Sequence, residues 1–118
     1  MEIKKVHSDN RGDVYSFEIG ERTHTIITFE PGLFRGGHYH KTSQWHICLA
    51  GILLVKLCTP DGSTEETKLL TEGQSLLIPA RVPHLFKAID GPAVLAESRT
   101  GEYEATDYEP YRKLARPK

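Results

Sequence analysis

From Asp13 to Ser98 the chain is cut into short runs of β-branched, aromatic and aliphatic residues, each closed by a turn signal, and few folds accept that rhythm. The runs are DVYSFEI (13–19), THTIITF (23–29), ICLAGILLVKL (47–57), ETKLL (66–70), SLLIPA (75–80), HLFKAI (84–89) and AVLAES (93–98). Between them stand Ile19-Gly20-Glu21, Pro31-Gly32, Gly36-Gly37, Pro60-Asp61-Gly62, Glu72-Gly73 and Asp90-Gly91-Pro92, each read as a turn. Asp61-Gly62 is the strongest hairpin signal, since both residues tolerate the positive φ that a tight hairpin demands. No apolar pattern of period 3.6 lasts long enough to cover a sheet, which argues against βαβ units and predicts antiparallel pairing. A chain of 118 residues and 13.3 kDa has material for one core. The expectation is an all-β single domain over 1–118, a sandwich or a barrel, because either closes most of the edges that would otherwise aggregate. The tail is the exception. Asp107 can cap a short helix through YEPYRKLA, and Pro110 limits that helix to a turn or two.

Charge narrows the class of partner. Lys and Arg number 15 against 16 Asp and Glu, so no long-range positive field favours nucleic acid or an anionic membrane surface. A small-molecule substrate is the expected partner. No run approaches the roughly 20 apolar residues that span a bilayer, and the start, Met1-Glu2-Ile3-Lys4-Lys5, lacks the apolar stretch of a signal peptide, which predicts a cytoplasmic protein. Cys48 and Cys58 lie inside apolar runs and are read as small core residues, not as a bridge.

The residues that carry chemistry cluster in GGHYHKTSQWHICLAG (36–51). In a strand, residues i and i+2 look the same way from Cα atoms roughly 6.5–7 Å apart, so His38 and His40 share a face. Two uses are open to such a pair on the inside of a barrel: holding a metal through one nitrogen each, or passing protons to and from a bound ligand. If the strand through Gln44 alternates without a bulge, His46 and Cys48 face inward as well. Arg35 offers a planar fork for a phosphate or a sugar oxygen, and Arg11 or Arg81 could do likewise. Tyr39 falls on the opposite face from its histidine neighbours, and Trp45 is expected on the outer surface or at a subunit contact. His7 and His24 are read as surface or strand filling, although His24 would enter the pocket if its strand faced that way.

Here the chain resembles the cupins. Their first motif, G-x5-H-x-H-x3,4-E-x6-G, is met by Gly32, His38, His40, Gln44 and Gly51. Their second, G-x5-P-x-G-x2-H-x3-N, is met by Gly73, Pro79, Arg81, His84 and Ala88, so that the core motifs cover 32–51 and 73–88. The resemblance implies a jelly-roll barrel in which the motif-one acid and the motif-two histidine complete a metal site. Gln44 stands where that acid belongs. A neutral amide is a poorer ligand than a carboxylate, which leaves His38, His40 and His84, with Gln44 or water, as the set for a divalent Zn, Fe, Mn or Ni.

A narrower resemblance concerns RGGHYHK followed by QWHICLAG, with Arg35, Gly36, His38, His40, Gln44, Cys48, Leu49 and Gly51 in matching places. It is similar to the 3,4-ketoisomerases that act on dTDP-4-keto-6-deoxyglucose, and more broadly to the cupins of surface-polysaccharide biosynthesis, with the gap from His40 to Gln44 one residue shorter. The tail ESRTGEYEATDYEPYRKLA resembles theirs, and DNRGDVYSFEI (9–19) is similar to the D-x-R-G opening of nucleotide-sugar epimerases with the same barrel. This implies an isomerase or epimerase of a nucleotide-linked keto-deoxysugar, acting as a homodimer. His38 and His40 would be its acid and base, Arg35, Gln44 and His46 would contact substrate, and no cofactor would be required. Two further readings stand beside it. One is a metal-dependent oxygenase or isomerase; the other is a sugar-binding barrel without chemistry.

Overall fold

The computed structural model describes residues 2–100 and 103–117, so Gly101 and Glu102 of the tail run fall outside the described residues. Nine strands and one helix follow in order: β1 (Lys4–Asp9), β2 (Gly12–Ile19), β3 (Arg22–Phe29), β4 (Phe34–Tyr39), β5 (Gln44–Cys58), β6 (Glu65–Thr71), β7 (Ser75–Ile78), β8 (His84–Thr100), β9 (Thr106–Asp107) and α1 (Glu109–Ala115). The strands pair antiparallel into one sheet that curls into the half-barrel of a jelly roll. None of the described helices is long and apolar enough to cross a membrane.

Two long strands, β5 and β8, form the spine and pair along almost their whole length. The first part of β8 lies between β4 and β5, and its second part lies between β3 and β5. Each changes the face its side chains serve partway along. In β5, Gln44, His46 and Cys48 are buried, whereas Leu53, Val55 and Leu57 are the buried set farther on. The reversal sits at bulges between Cys48 and Ile52, where Gly51 adopts φ 80° and a side chain would run into the Pro92 carbonyl. In β8 the buried set passes from His84, Phe86 and Ala88 to Ala93 and Leu95. Asp90 (φ 60°) and Gly91 (φ 129°) supply that shift. Asp90-Gly91-Pro92, expected to be a turn between two strands, is therefore a kink inside one. The interior that results packs Phe29, Leu53, Val55, Phe86 and Leu95 together.

β1 was not legible as a strand. Its residues Lys4 to Ser8 are exposed, and it occupies an edge of the sheet, where lysines discourage pairing with another chain. The outer face of β5 presents Trp45, Ile47 and Leu49 to solvent beside Leu77 of β7, as strand parity predicts for Trp45. Cys48 and Cys58 are free and buried.

The C-terminal helix closes the outer side of β4. Tyr111 and Ala115 join Cys58 and Leu85 in a second, smaller core. The cap differs from expectation: Tyr108 holds the N-cap position without a side-chain hydrogen bond, and Asp107 belongs to β9. Pro110 fits the first turn, where no intrahelical N–H partner is lost. Gly36-Gly37, also expected to be a turn, is a bulge within β4, with φ values of 101° and 84°. The helix is fastened to this bulge, since Tyr108 N donates to the Gly37 carbonyl and Arg112 Nη1 donates to the Gly36 carbonyl, both at 2.9 Å.

A Cβ on Gly37 would lie 2.6 Å from Arg112 Cα and 2.7 Å from its backbone nitrogen, at a φ that side-chain-bearing residues rarely adopt. Gly37→Ala is expected to destabilise the fold by roughly 2–4 kcal/mol, combining backbone strain with overpacking. Urea unfolding checks this: the midpoint should drop with an unchanged slope, and a wild-type midpoint would contradict the packing described.

Candidate metal and substrate cavity

His38 lies near the end of β4, His40 directly follows that strand, and His84 opens β8, paired with His38 across the ladder. Their rings gather at one cavity of about 570 Å³. Ring centroids are 4.8 Å apart for His38 and His40, 5.1 Å for His38 and His84, and 5.2 Å for His40 and His84. One nitrogen from each ring lies within 4.8 Å of the other two. The i, i+2 spacing and the second-motif histidine thus meet as expected.

Hydrogen bonds fix two of the rings. His40 Nδ1 contacts the Glu104 carbonyl at 2.6 Å, and His84 Nδ1 contacts the Val82 carbonyl at 3.0 Å. A carbonyl only accepts, so Nδ1 carries the proton in both rings and a neutral ring keeps its lone pair on Nε2. Both Nε2 atoms are buried and have no partner among the described residues. Burial, and then the repulsion of His40, lowers the His38 pKa to about 4. Burial likewise pulls His84 to about 3, reinforced by His38 and only partly opposed by the Val82 carbonyl. These two imidazoles are neutral at neutral pH.

The other expected residues separate. Arg35 is buried and lines the cavity. Gln44 is buried at the start of β5 but is not among the cavity-lining residues, and neither is His46. His46 does face inward, as the alternation predicted, and its Nε2 meets Glu97 Oε2 at 2.7 Å. Arg11 also lines the cavity, yet its guanidinium is engaged by Asp9 and by the Ala115 carbonyl, so the D-x-R-G opening ties β1 to the end of α1. His24 stacks on Phe17 at 5.2 Å, away from the cavity, whereas His7 reaches the cavity rim and bonds Asp9.

Two residues escaped sequence reasoning. Glu97 and Arg99 both line the cavity. Neither occupies a motif position, and both face inward because β8 changes parity at Asp90-Gly91. A desolvating site would raise the Glu97 pKa, but the charge and hydrogen bond of His46 outweigh that and hold it at about 2. The carboxylate is ionised beside three imidazoles.

This donor set suits a transition metal. Imidazole nitrogens left bare and buried, on rings whose second nitrogen is pinned by a backbone carbonyl, are the arrangement found around histidine-bound dications. His38, His40 and His84 could hold one. Gln44 is buried at the start of β5, the strand that also carries His46 inward.

Comparison with known proteins agrees with this architecture. Oxalate decarboxylase from Bacillus subtilis superposes with a TM-score of 0.77 at 23% identity, over 88% of this chain and 29% of that one. The capsular polysaccharide assembling protein CapF from Staphylococcus aureus superposes with a TM-score of 0.78 at 14% identity, over 88% of this chain and 30% of that one. The chain thus spans about a third or less of these structures, and at such identities the likeness is one of fold. No curated protein sequence matches it. The sequence model of the cupin family matches residues 22–99, a span that holds both histidine motifs, all of β5 and all but the last residue of β8, and the chain belongs to the cupins.

Proposed function

We propose that the protein is a metal-dependent cupin enzyme, with His38, His40 and His84 as ligands, that isomerises or epimerises a keto-sugar. The observation that carries the metal is the pair of bare, buried Nε2 atoms on His40 and His84. A bound dication would supply a Lewis acid for a keto or hydroxy oxygen of the substrate. The chain's own residues do the rest. Backbone carbonyls of Glu104 and Val82 hold two rings in the tautomer that offers Nε2. Glu97, ionised in the same cavity, offsets positive charge that the neutral Gln44 does not. The keto-sugar rests on the RGGHYHK and QWHICLAG resemblance, and the fold shared with CapF accords with it.

The metal-free alternative, with His38 and His40 as acid and base, is less well served. Burial, which holds His38 at about 4, would confine it to the role of base, and this reading leaves the bare, buried Nε2 of His84 without a use.

Elemental analysis of protein purified without chelator should give a stoichiometric transition metal. His84→Ala should cost at least the roughly 10–100-fold in affinity that loss of an outer-shell partner costs. Metal-loaded protein should carry solvent deuterium into dTDP-4-keto-6-deoxyglucose. Exchange that survives complete metal removal would instead favour histidine acid–base chemistry, and the absence of any retained metal would sink the present reading.

Acid stability tests the neutral rings independently. Unfolded, His38 and His84 bind protons near pH 6.5; folded, they do so only near 4 and 3. Between these limits the unfolded state holds more protons, so the stability of the metal-free protein is complete above pH 6.5 and falls on acidification. The slope should reach about 1.4 kcal/mol per pH unit for each histidine. Denaturant titrations at stepped pH measure it, and His38→Asn should remove one histidine's share.

A further inference from the structure

We propose that Arg35 anchors an oxyanion of the substrate, a carboxylate or a phosphate, in the cavity that holds the three histidines. The inference rests on that cavity being the substrate site, and adds which residue takes an anionic group of the substrate.

Arg35 is 6% exposed, and its Nη1 is buried without a hydrogen-bond partner among the described residues. The carboxylate beside it is Asp9, whose Oδ1 lies 3.8 Å from Nη1, too far for a hydrogen bond. Asp9 is committed elsewhere. It receives Arg11 Nη2 at 2.6 Å, Arg11 Nε at 3.1 Å and the Arg11 backbone N–H at 2.8 Å. One carboxylate therefore faces two guanidinium groups and satisfies only the first.

The other acids of the cavity do not make up the difference. Glu97 is bonded to His46, and Asp107 is a solvent-exposed carboxylate at the mouth, 3.9 Å from Arg112 Nε. Arg99 adds a further cation: among the described residues its Nε is buried without a partner, and its Nη1 reaches only the Thr25 hydroxyl at 3.2 Å. Among the described residues the partly buried carboxylates Asp9 and Glu97 are already bonded, while Arg35 and Arg99 each keep a buried guanidinium nitrogen without a partner, a balance that favours an incoming anion. The Phe29 ring, 5.9 Å from the Arg35 guanidinium carbon, shields it from water and strengthens the attraction.

Placement in β4 makes Arg35 part of the same site. Residues 35 and 38 have opposite parity in a regular strand and would face apart. The bulge between Gly36 and His38 cancels that difference, so that Arg35, His38 and His40 all line one cavity. An elongated substrate can then seat its anionic end on the planar fork of Arg35 and its oxygenated end at the histidines.

The test uses the full chain, stripped of metal and labelled with nitrogen-15, titrated at neutral pH with sodium acetate, sodium malonate or sodium phosphate against sodium chloride of equal ionic strength. An oxyanion should move the Arg35 Nε–H resonance and raise Tm saturably, while chloride does neither. A carboxylate response assigns a carboxylate substrate, and a phosphate response assigns a phosphorylated one. Arg35→Gln should weaken binding by about tenfold or more, and Arg35→Lys, which keeps the charge but loses the fork, by a smaller factor. Silence of the Arg35 resonance towards both oxyanions would overturn the proposal, as would wild-type affinity in Arg35→Gln. If Arg35→Gln does not fold, the resonance of the wild-type protein decides alone. Metal content of the same preparation before stripping separates the two readings. Oxyanion binding in a protein that never held metal leaves the subsite and removes the metal, and retained metal without oxyanion binding does the reverse.

Discussion

The two long strands lie side by side, and each turns its side chains over at the same level, at Gly51 in β5 and at Asp90-Gly91 in β8. A strand that kept its parity would commit alternate residues to one face from end to end. Here the kink lets β8 bring His84 and Phe86 inward from its first half and Glu97 and Arg99 inward from its second. The bulge at Gly36-Gly37 does the same on a smaller scale for Arg35 and His38. The cavity is a product of these irregularities, since regular strands of the same sequence would send half of its polar residues to solvent.

Energetically the cavity is the expensive part of the molecule. The buried side-chain nitrogens without partners among the described residues belong to Arg35, His40, His46, His84 and Arg99, and four of these residues line it. Each such group costs on the order of 1–3 kcal/mol when left unsatisfied, and natural folds keep few of them. Their concentration in one place identifies a site completed by something that binds. His84 reduces its own cost by staying neutral, which also leaves it ready to coordinate. Arginine has no such recourse, because it stays charged, and that asymmetry is why the histidines suit a dication and the arginines suit an anion.

Much of this was legible in the sequence, and the gaps have physical causes. Alternation and turn residues disclosed an antiparallel all-β chain, and the spacing of His38, His40 and His84 disclosed their meeting. Glycines were the weak point. At Gly36-Gly37 and Asp90-Gly91 a positive φ serves a bulge within a strand, and composition alone reads that as a turn between strands. Splitting β8 there hid Glu97 and Arg99, whose inward direction depends on the kink. Asp107 was assigned a cap because of its residue type, but pairing in β9 claimed it. Gln44 and His46 were correctly placed inside, and the hydrogen bond between His46 and Glu97 was hidden because β8 was split at Asp90-Gly91.

The central claim is that His40 and His84 both carry a proton on Nδ1 and turn an Nε2 without a partner among the described residues into the shared cluster, and that His84 is neutral. Nitrogen-15 NMR of the histidine rings in metal-free protein reads tautomer and charge directly. The account predicts a proton on Nδ1 of both rings at neutral pH, and a His84 that stays neutral well into the acid range. A His84 protonated on Nε2 at neutral pH, or an Nδ1 without its proton on either ring, would contradict it.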